Sequence, residues 1–126
     1  MKKDYILAID QGTTGTRALV FDRKGNVVSS AYKEIDQFFP KPGLVEQEPE
    51  NIWKSCLFTI SKALRKKPGI AKRIAAIGIT NQRETTVVWD RKTSKPLSRA
   101  IVWQCRRTAD YCKKIKKYER KFKSKT

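Results

Sequence analysis

The segment from Asp10 to Arg17 gathers glycines, hydroxyls and two opposite charges in the order Asp-Gln-Gly-Thr-Thr-Gly-Thr-Arg. Glycine lets the backbone approach a ligand closely, and turn amides together with threonine hydroxyls can donate to phosphate oxygens. Arg17 adds a forked cation that suits phosphate, and Asp10 can hold Mg²⁺ directly or through its waters. The spacing fits neither a Walker A loop nor a GxGxxG loop. The alternative is an ordinary hairpin turn, in which glycine and threonine only serve the backbone.

A second polar segment, Asn81–Glu84, lies between two apolar runs. Arg83 can donate two parallel hydrogen bonds, and Glu84 can accept from two neighbouring hydroxyls, so a small ligand could bind here. The alternative is an ion pair between Arg83 and Glu84 on a polar loop.

Composition excludes several classes of protein. The 126 residues suit one domain or part of one, with 39% hydrophobic residues. Three widely spaced cysteines and no histidine argue against a disulfide framework and a structural zinc site, and favour a reducing cytosol. Apolar runs such as Tyr5–Ile9 are too short to span a bilayer, and no secretory signal pattern opens the chain.

The net charge of +17 is concentrated toward the C-terminus. Residues 1–60 carry 8 basic and 8 acidic side chains, whereas residues 91–126 carry 14 basic and 2 acidic ones. Within the second stretch, Lys113–Lys125 holds eight basic residues and one acid. This pattern favours a solvated tail, with a nucleic-acid-binding arm as the alternative.

Three short strands are predicted at the start of the chain, at Tyr5–Asp10, Ala18–Phe21 and Val27–Ile35. The connections between them are too short for a parallel crossover, so the strands must be antiparallel. Residues Phe38–Gln47 are predicted to form a loop because of their prolines and glycine.

An amphipathic helix should follow, with Pro49 at its first position and Pro68-Gly69 after its end. Its apolar residues recur at helical spacing, at Ile52, Trp53, Cys56, Leu57, Ile60 and Leu64.

The rest of the chain alternates apolar runs with turns. We predict a buried strand at Ile74–Ile79, a strand at Thr85–Trp89, a turn at Asp90–Ser94, a short strand at Ile101–Trp103 and a helix within Thr108–Lys117. The order predicts an α/β domain with a mixed sheet.

The segment Ile9–Arg17 resembles the first phosphate loop of the sugar-kinase family in the actin/hexokinase superfamily. Three antiparallel strands followed by a helix also match the opening of that ribonuclease-H-like fold, of which this chain would hold an incomplete domain. Three further strings, Phe39–Gln47, Ile77–Trp89 and Ile101–Thr108, resemble the glycerol kinases of that family. We expect the resemblance to run from Tyr5 to Tyr111.

The resemblance implies an enzyme that uses ATP and Mg²⁺ to convert glycerol to sn-glycerol 3-phosphate. It implies that Thr13, Thr14 and Gly15 contact the ATP phosphates and that Arg17 contacts the nucleotide. Asp10 would lie beside the magnesium and hold it through a water.

For the substrate, the resemblance implies that Arg83 and Glu84 bind glycerol hydroxyls. Trp103 would cover the glycerol carbons, and Thr13 would also touch the product. The alternative for Trp103 is a role in core packing. Cys105, Arg106 and Arg107 match the family string without an assigned chemistry.

We expect the resemblance to end after Cys112, so that residues 1–112 form the N-terminal portion of the first kinase domain and residues 113–126 a lysine-rich tail. The catalytic Asp of the family has no counterpart here, so the isolated chain should be inactive. The resemblance implies a cytoplasmic, homo-oligomeric enzyme without a nucleic-acid partner. The alternatives are a gene remnant or a non-catalytic basic module that binds nucleic acid through its tail.

Overall fold

The computed structural model describes residues 2–119 and residue 123. A four-stranded sheet has the order β3-β2-β1-β5, and a two-stranded sheet pairs β4 with β6. The strands and helices, in chain order, are β1 (Tyr5–Gln11), β2 (Gly15–Phe21), β3 (Val27–Glu34), β4 (Glu46–Gln47), α1 (Pro49–Arg65), β5 (Ile74–Asn81), β6 (Ala100–Ile101) and α2 (Ala109–Ile115). Short 3₁₀ turns occupy Ile70–Arg73 and Lys116–Tyr118.

The predicted antiparallel opening of the sheet is confirmed. β1 pairs with β2, and β2 with β3, in antiparallel register, whereas β5 joins β1 in parallel, so the sheet is mixed as predicted. The turn between β2 and β3 closes on Asp22, whose carboxylate accepts from the backbone amides of Lys24 and Asn26 at 2.8 and 2.9 Å. Gly25 provides the left-handed residue, at φ 81°, that this turn requires.

Helix α1 begins at Pro49 as predicted, and Ile60 and Leu64 of the predicted apolar stripe pack against the core, but the most buried residues of the helix lie outside that stripe. Its buried residues are the small Ser55, Thr59 and Ala63, which let the helix lie close to β2 and β3. Trp53, from the predicted apolar stripe, stays 60% exposed. The core beneath α1 consists of Leu7, Ile9, Ala18, Val20, Ala31, Ala63 and Ile70.

The prediction of a buried strand at Ile74–Ile79 is wrong in its burial. β5 occupies an edge of the sheet in the described residues, and α1 lies mainly over β2 and β3 instead. Ile77 and Ile79 share a sheet face with Leu7 and Ile9 but remain 59% and 72% exposed. This apolar edge therefore lies outside the area that the helix covers.

The predicted strand at Thr85–Trp89 is also wrong. Only isolated bridges form there, from Thr86 to Ile101 and from Trp89 to Pro96. The Trp89–Pro96 bridge is closed by the backbone amides of Asp90 and Leu97, which donate to the carbonyls of Lys95 and Val88 at 2.8 and 2.9 Å, and it does not continue into a ladder. The last strand is Ala100–Ile101 rather than Ile101–Trp103, and it pairs with β4 inside the segment predicted as a loop.

The C-terminal helix is confirmed as α2, with Thr108 as its N-cap residue. Of the lysine-rich segment, residues 120–122 and 124–126 lie outside the described part, so the predicted tail is described only in part. No helix within the described residues is both long and apolar enough to cross a bilayer.

Candidate functional site

The glycine-threonine turn joins β1 to β2, and its shape depends on Gly15. The Gly12 amide donates to the Gly15 carbonyl at 2.9 Å and closes the turn. A Cβ on Gly15 would lie 2.6 Å from the Tyr32 ring carbon Cζ and 2.7 Å from the Lys33 carbonyl oxygen. Contacts this short do not occur, so the packing of β3 against the turn requires glycine here.

Asp10 and Arg17 lie side by side just below the turn. They are register partners on β1 and β2, and Arg17 is in turn the partner of Tyr32 on β3. Their neighbours Ile9 and Ala18 are buried under α1, so the alternation of side chains directs Asp10 and Arg17 to the opposite face. Both are exposed, and the Arg17 guanidinium carbon lies 5.6 Å from the Tyr32 ring centre.

This charged pair offers complementary chemistry next to a row of turn amides and hydroxyls. Neither Asp10 nor Arg17 takes part in the ion pairs found in the described part of the chain. A guanidinium in this position can receive an anion, and the carboxylate can receive a hydrated cation.

Thr13, at the tip of the turn, is held by three side chains from later in the chain. The Trp103 indole Nε1–H donates to Thr13 Oγ1 at 2.8 Å. Gln47 Nε2 donates to the Thr13 carbonyl oxygen at 2.6 Å, and Gln37 Nε2 donates to the same oxygen at 3.4 Å. Trp103 is 53% exposed, so the alternative of a core role is wrong.

Buried glutamine amides connect this turn to the segment after β5. Gln82 Nε2 donates to Gln47 Oε1 at 2.8 Å and lies 3.5 Å from Gln11 Oε1. Thr85 Oγ1 donates to Gln82 Oε1 at 3.0 Å. Gln47 is fully buried, and Gln11 and Gln82 are each 8% exposed. We call Gln11, Gln47 and Gln82 the amide network.

The predicted ligand-binding pair Arg83 and Glu84 directly follows Gln82. Both side chains are exposed, and no ion pair between them occurs in the described part, so the ion-pair alternative is not supported. Glu84 has φ 61°, a left-handed conformation that is uncommon for a residue with a side chain. The turn therefore presents two opposite charges to solvent beside the buried Gln82.

The segment after Trp103 is tied to the strand that carries Gln47. The Arg106 amide donates to the Gly43 carbonyl at 2.7 Å, and Arg107 Nη2 donates to Glu46 Oε1 at 2.6 Å. The Arg106 backbone and the Arg107 side chain therefore help to fix this segment against Gly43 and β4.

Sequence reasoning selected Thr13, Trp103, Asp10 and Arg17, and the structure brings them to one end of the sheet. It missed the amide network. The signal was available, because Gln11 and Gln47 each end a strand and Gln82 immediately follows one. No group of three or more His, Cys, Asp or Glu side chains in the described residues is arranged to hold a metal ion.

Comparisons with known proteins assign this arrangement to a family. Residues 5–126 match the N-terminal domain of the FGGY family of carbohydrate kinases. A glycerol kinase from Halothermothrix orenii is 58% identical over 128 aligned residues, which cover 100% of this chain and 26% of the relative. One from Rhizobium rhizogenes is 60% identical over 115 residues, covering 91% of this chain and 23% of the relative.

The chain thus spans about a quarter of the length of these curated relatives. The family match reaches residue 126, so the expectation that the resemblance ends after Cys112 is wrong. The proposed division of the chain at residue 112 stays a prediction.

Solved structures agree. The structure of a Plasmodium falciparum glycerol kinase with ADP matches with a TM-score of 0.79 and 33% identity, covering 90% of this chain and 23% of that one. A gluconate kinase from Lactobacillus acidophilus matches with a TM-score of 0.81 and 26% identity, covering 90% of this chain and 22% of that one. With residues 5–126 matched, the chain belongs to the FGGY family of carbohydrate kinases, in its N-terminal domain.

Proposed function

We propose that this chain supplies the first phosphate-binding turn and part of the glycerol site of an ATP-dependent glycerol kinase. The reaction transfers the γ-phosphoryl group of ATP to glycerol and yields ADP and sn-glycerol 3-phosphate. The observation that carries the proposal is the 2.8 Å hydrogen bond from Trp103 to Thr13. This bond joins the segment proposed to bind phosphate to a residue proposed to bind glycerol. The 58% and 60% identity to glycerol kinases supports the choice of substrate.

On the nucleotide side, Thr13, Thr14 and Gly15 would contact the phosphates and Arg17 would contact the nucleotide. Phosphoryl transfer depends almost entirely on positioning and on stabilising charge, so a turn fixed from several directions suits the task. The support is the set of bonds that hold Thr13, together with the exposed Arg17 guanidinium beside the turn. Thr13 would also contact the glycerol 3-phosphate product.

On the substrate side, Arg83 and Glu84 would bind glycerol hydroxyls, and Trp103 would cover the carbon atoms. The support for Trp103 is its half-exposed ring, whose only polar group is already satisfied by Thr13. An apolar ring face is then free to pack against carbon, while the two charged residues provide forked donors and acceptors.

The single carboxylate of Asp10, on the sheet face opposite α1, fits a Mg²⁺ ion that is held mainly by phosphates and water. Mg²⁺ keeps several waters and is bound through one or two carboxylates together with substrate phosphates. Asp10 is a single exposed carboxylate next to the turn, so it would hold the ion through a water. The ion would neutralise charge on the phosphates when bound.

The proposal includes the expectation that this chain alone does not phosphorylate glycerol at a useful rate. The support is its coverage of about a quarter of the curated relatives. A coupled assay of ADP release with glycerol and ATP measures this directly. Release above that of a Thr13→Ala/Arg83→Ala double variant would overturn the expectation.

A chimera tests the proposed activity itself. In the glycerol kinase of Halothermothrix orenii, the aligned N-terminal segment is replaced by this chain, and glycerol-dependent ADP release is measured. We expect an active enzyme whose kcat/KM for glycerol falls at least about tenfold in the Arg83→Ala chimera. The matched control is Arg91→Ala, on an exposed turn. A folded chimera that prefers another polyol or a sugar would refute glycerol as the substrate.

Two further features belong to the same proposal. A cytoplasmic location is consistent with three free cysteines in the described residues. Assembly into homo-oligomers is proposed from the family resemblance and is measurable by sedimentation of the active chimera.

A further inference from the structure

A basic cavity lies between the segment after β6 and helix α2. Its volume is about 350 Å³, within the range of small-molecule sites. The described residues that line it include none with an acidic side chain. Lys113 also lies 3.3 Å from the Asp110 carboxylate, in an exposed pair. The polar lining consists of two thiols, a hydroxyl and three cations, from Cys105, Cys112, Thr108, Arg106, Lys113 and Lys116.

The Cys105 sulfur is placed in a fixed hydrogen-bonding environment. Arg107 Nε donates to Cys105 Sγ at 3.0 Å. The same guanidinium donates from Nη2 to Glu46 Oε1 at 2.6 Å, so it is anchored to β4 while it contacts the sulfur. Burial acts to raise the pKa of the Cys105 thiol. Backbone hydrogen bonds at Val45 and Arg107, together with the Arg107 guanidinium, act in the opposite direction and outweigh the effect of burial, so the pKa is lowered. The thiolate is the nucleophilic form of cysteine.

We propose that Cys105 is a modification site that reacts with small disulfides bearing carboxylates, of the glutathione disulfide type. The thiol proton passes to solvent, and the Cys105 thiolate attacks one sulfur of the disulfide. A bond forms between Cys105 Sγ and that sulfur, the original S–S bond breaks, and the second half leaves as a thiolate with the electron pair. The disulfide is the oxidant, and the product is a mixed disulfide.

The cavity accounts for the preference for an anionic reagent. Cations that converge on one concave surface raise the local concentration of anions and their association rate. Arg106 and Lys116 are not paired with an acid in the described residues, so they are available to carboxylates. Cys56, by contrast, is half-buried on α1, with its sulfur 4.0 Å from Thr16 Oγ1, and it does not line this cavity.

A mixed disulfide would also act on the candidate site through β4. It changes the Cys105 sulfur that Arg107 contacts, and Arg107 is the residue that holds Glu46, next to Gln47 of the amide network. The modification itself does not depend on the proposed kinase activity, so the two can fail separately.

The first experiment compares two probes of different charge. In the full chain carrying Cys56→Ser and Cys112→Ser, the rate of thiol release is measured with dianionic 5,5′-dithiobis(2-nitrobenzoate) and with neutral 4,4′-dithiodipyridine. We define the anionic preference as the rate with 5,5′-dithiobis(2-nitrobenzoate) divided by the rate with 4,4′-dithiodipyridine. At low salt we expect this preference to be about tenfold higher in the folded chain than in urea, and we call that difference the excess. Added salt should reduce the excess, because it screens the cations. An equal ratio in the two states would refute the proposal.

The second experiment removes the charges. Arg106→Ala/Lys116→Ala should abolish most of the excess, whereas Arg91→Ala/Lys92→Ala, which removes the same charge from an exposed turn, should retain it. Equal loss in both variants would show a general charge effect and overturn the assignment to this cavity.

The third experiment needs no substitution. The unmodified chain is incubated with glutathione disulfide, and the adduct is located by peptide mass spectrometry. We expect it on Cys105, and an adduct found only on Cys112 or Cys56 would contradict the proposal.

Discussion

Two sets of polar side chains meet at the carboxyl end of β1, and they are held in opposite ways. The amide network is buried and joined by hydrogen bonds of 2.6 to 3.5 Å that end on the Thr13 carbonyl. Asp10, Arg17, Arg83 and Glu84 are charged and exposed, and they make none of the ion pairs of the described residues.

This difference explains how the turn can be held in place while its charged side chains remain free to contact ligands. Burying a neutral amide is tolerable when its donors and acceptors are satisfied, whereas burying a charge costs far more. No buried polar side-chain atom of the described residues lacks a partner. Positioning is therefore assigned to neutral amides, and the groups proposed to contact the ligands remain in solvent.

The largest expected effect is at Gly15, where the turn meets β3. Gly15→Val should lower the free energy of unfolding by about 3 kcal/mol, because the new side chain overlaps Tyr32 and the Lys33 carbonyl. Urea denaturation followed by circular dichroism measures this. The matched control is Gly78→Ala on β5, where a Cβ meets nothing within 4 Å and the stability should change little.

The next effect is at the centre of the amide network. Gln47→Ala should cost about 2 kcal/mol of unfolding free energy, because it removes the short hydrogen bonds of the Thr13 carbonyl and Gln82 Nε2 and leaves them only longer contacts of 3.4 and 3.5 Å. The exposed Gln104→Ala is the control and should be neutral. A Gln47→Ala chain as stable as the control would break the comparison, since the turn would then not depend on these amides.

Much of this fold is encoded locally and could be predicted. The three antiparallel strands follow from short turns, and α1 follows from Pro49 and helical spacing. The burial of β5 could not be predicted, because an apolar strand is buried only if another element covers it, and α1 covers β2 and β3 instead.

The candidate site was predictable to the extent that its residues carry charge or hydroxyls. Gln47 and Gln82 were missed because the role of an amide depends on its partners, which come from 35 positions away in the chain. The buried small residues of α1 were missed for a similar reason. The Ser55 hydroxyl can be buried because it has a hydrogen-bond partner 2.6 Å away, Thr16 Oγ1, and hydrophobic spacing does not reveal that contact.

A smaller effect is expected on the pH dependence of stability, which charged contacts influence and neutral amides do not. The hydrogen bond from Arg73 lowers the pKa of Asp4 below its ordinary value of 3.8. The stabilisation by this pair is therefore present above the ordinary pKa and is lost as the pH falls through the lowered one. We expect Asp4→Asn to reduce the loss of stability between about pH 5 and pH 2.

Denaturation midpoints across this pH range provide the measurement. Asp110→Asn, in the exposed pair with Lys113, is the control, and Gln47→Ala should keep the pH dependence of the unmodified chain because amides do not titrate. The hydrogen bond from the Asn26 side chain is the main cause of a lowered pKa at Asp22. Every variant should therefore keep the part of the acid sensitivity that comes from Asp22. A changed pH dependence in Gln47→Ala would show that charge also positions the turn.

The smallest effect on stability should come from the charged residue nearest the network. Arg83 is exposed and makes no hydrogen bond or ion pair in the described residues, so Arg83→Ala should change the free energy of unfolding by less than about 0.5 kcal/mol. Thr85→Ala, two positions later, removes the hydroxyl that donates to Gln82 and should cost about 1 kcal/mol. Urea denaturation of the two variants side by side tests the division, because a larger loss in Arg83→Ala would place that charge among the groups that hold the turn.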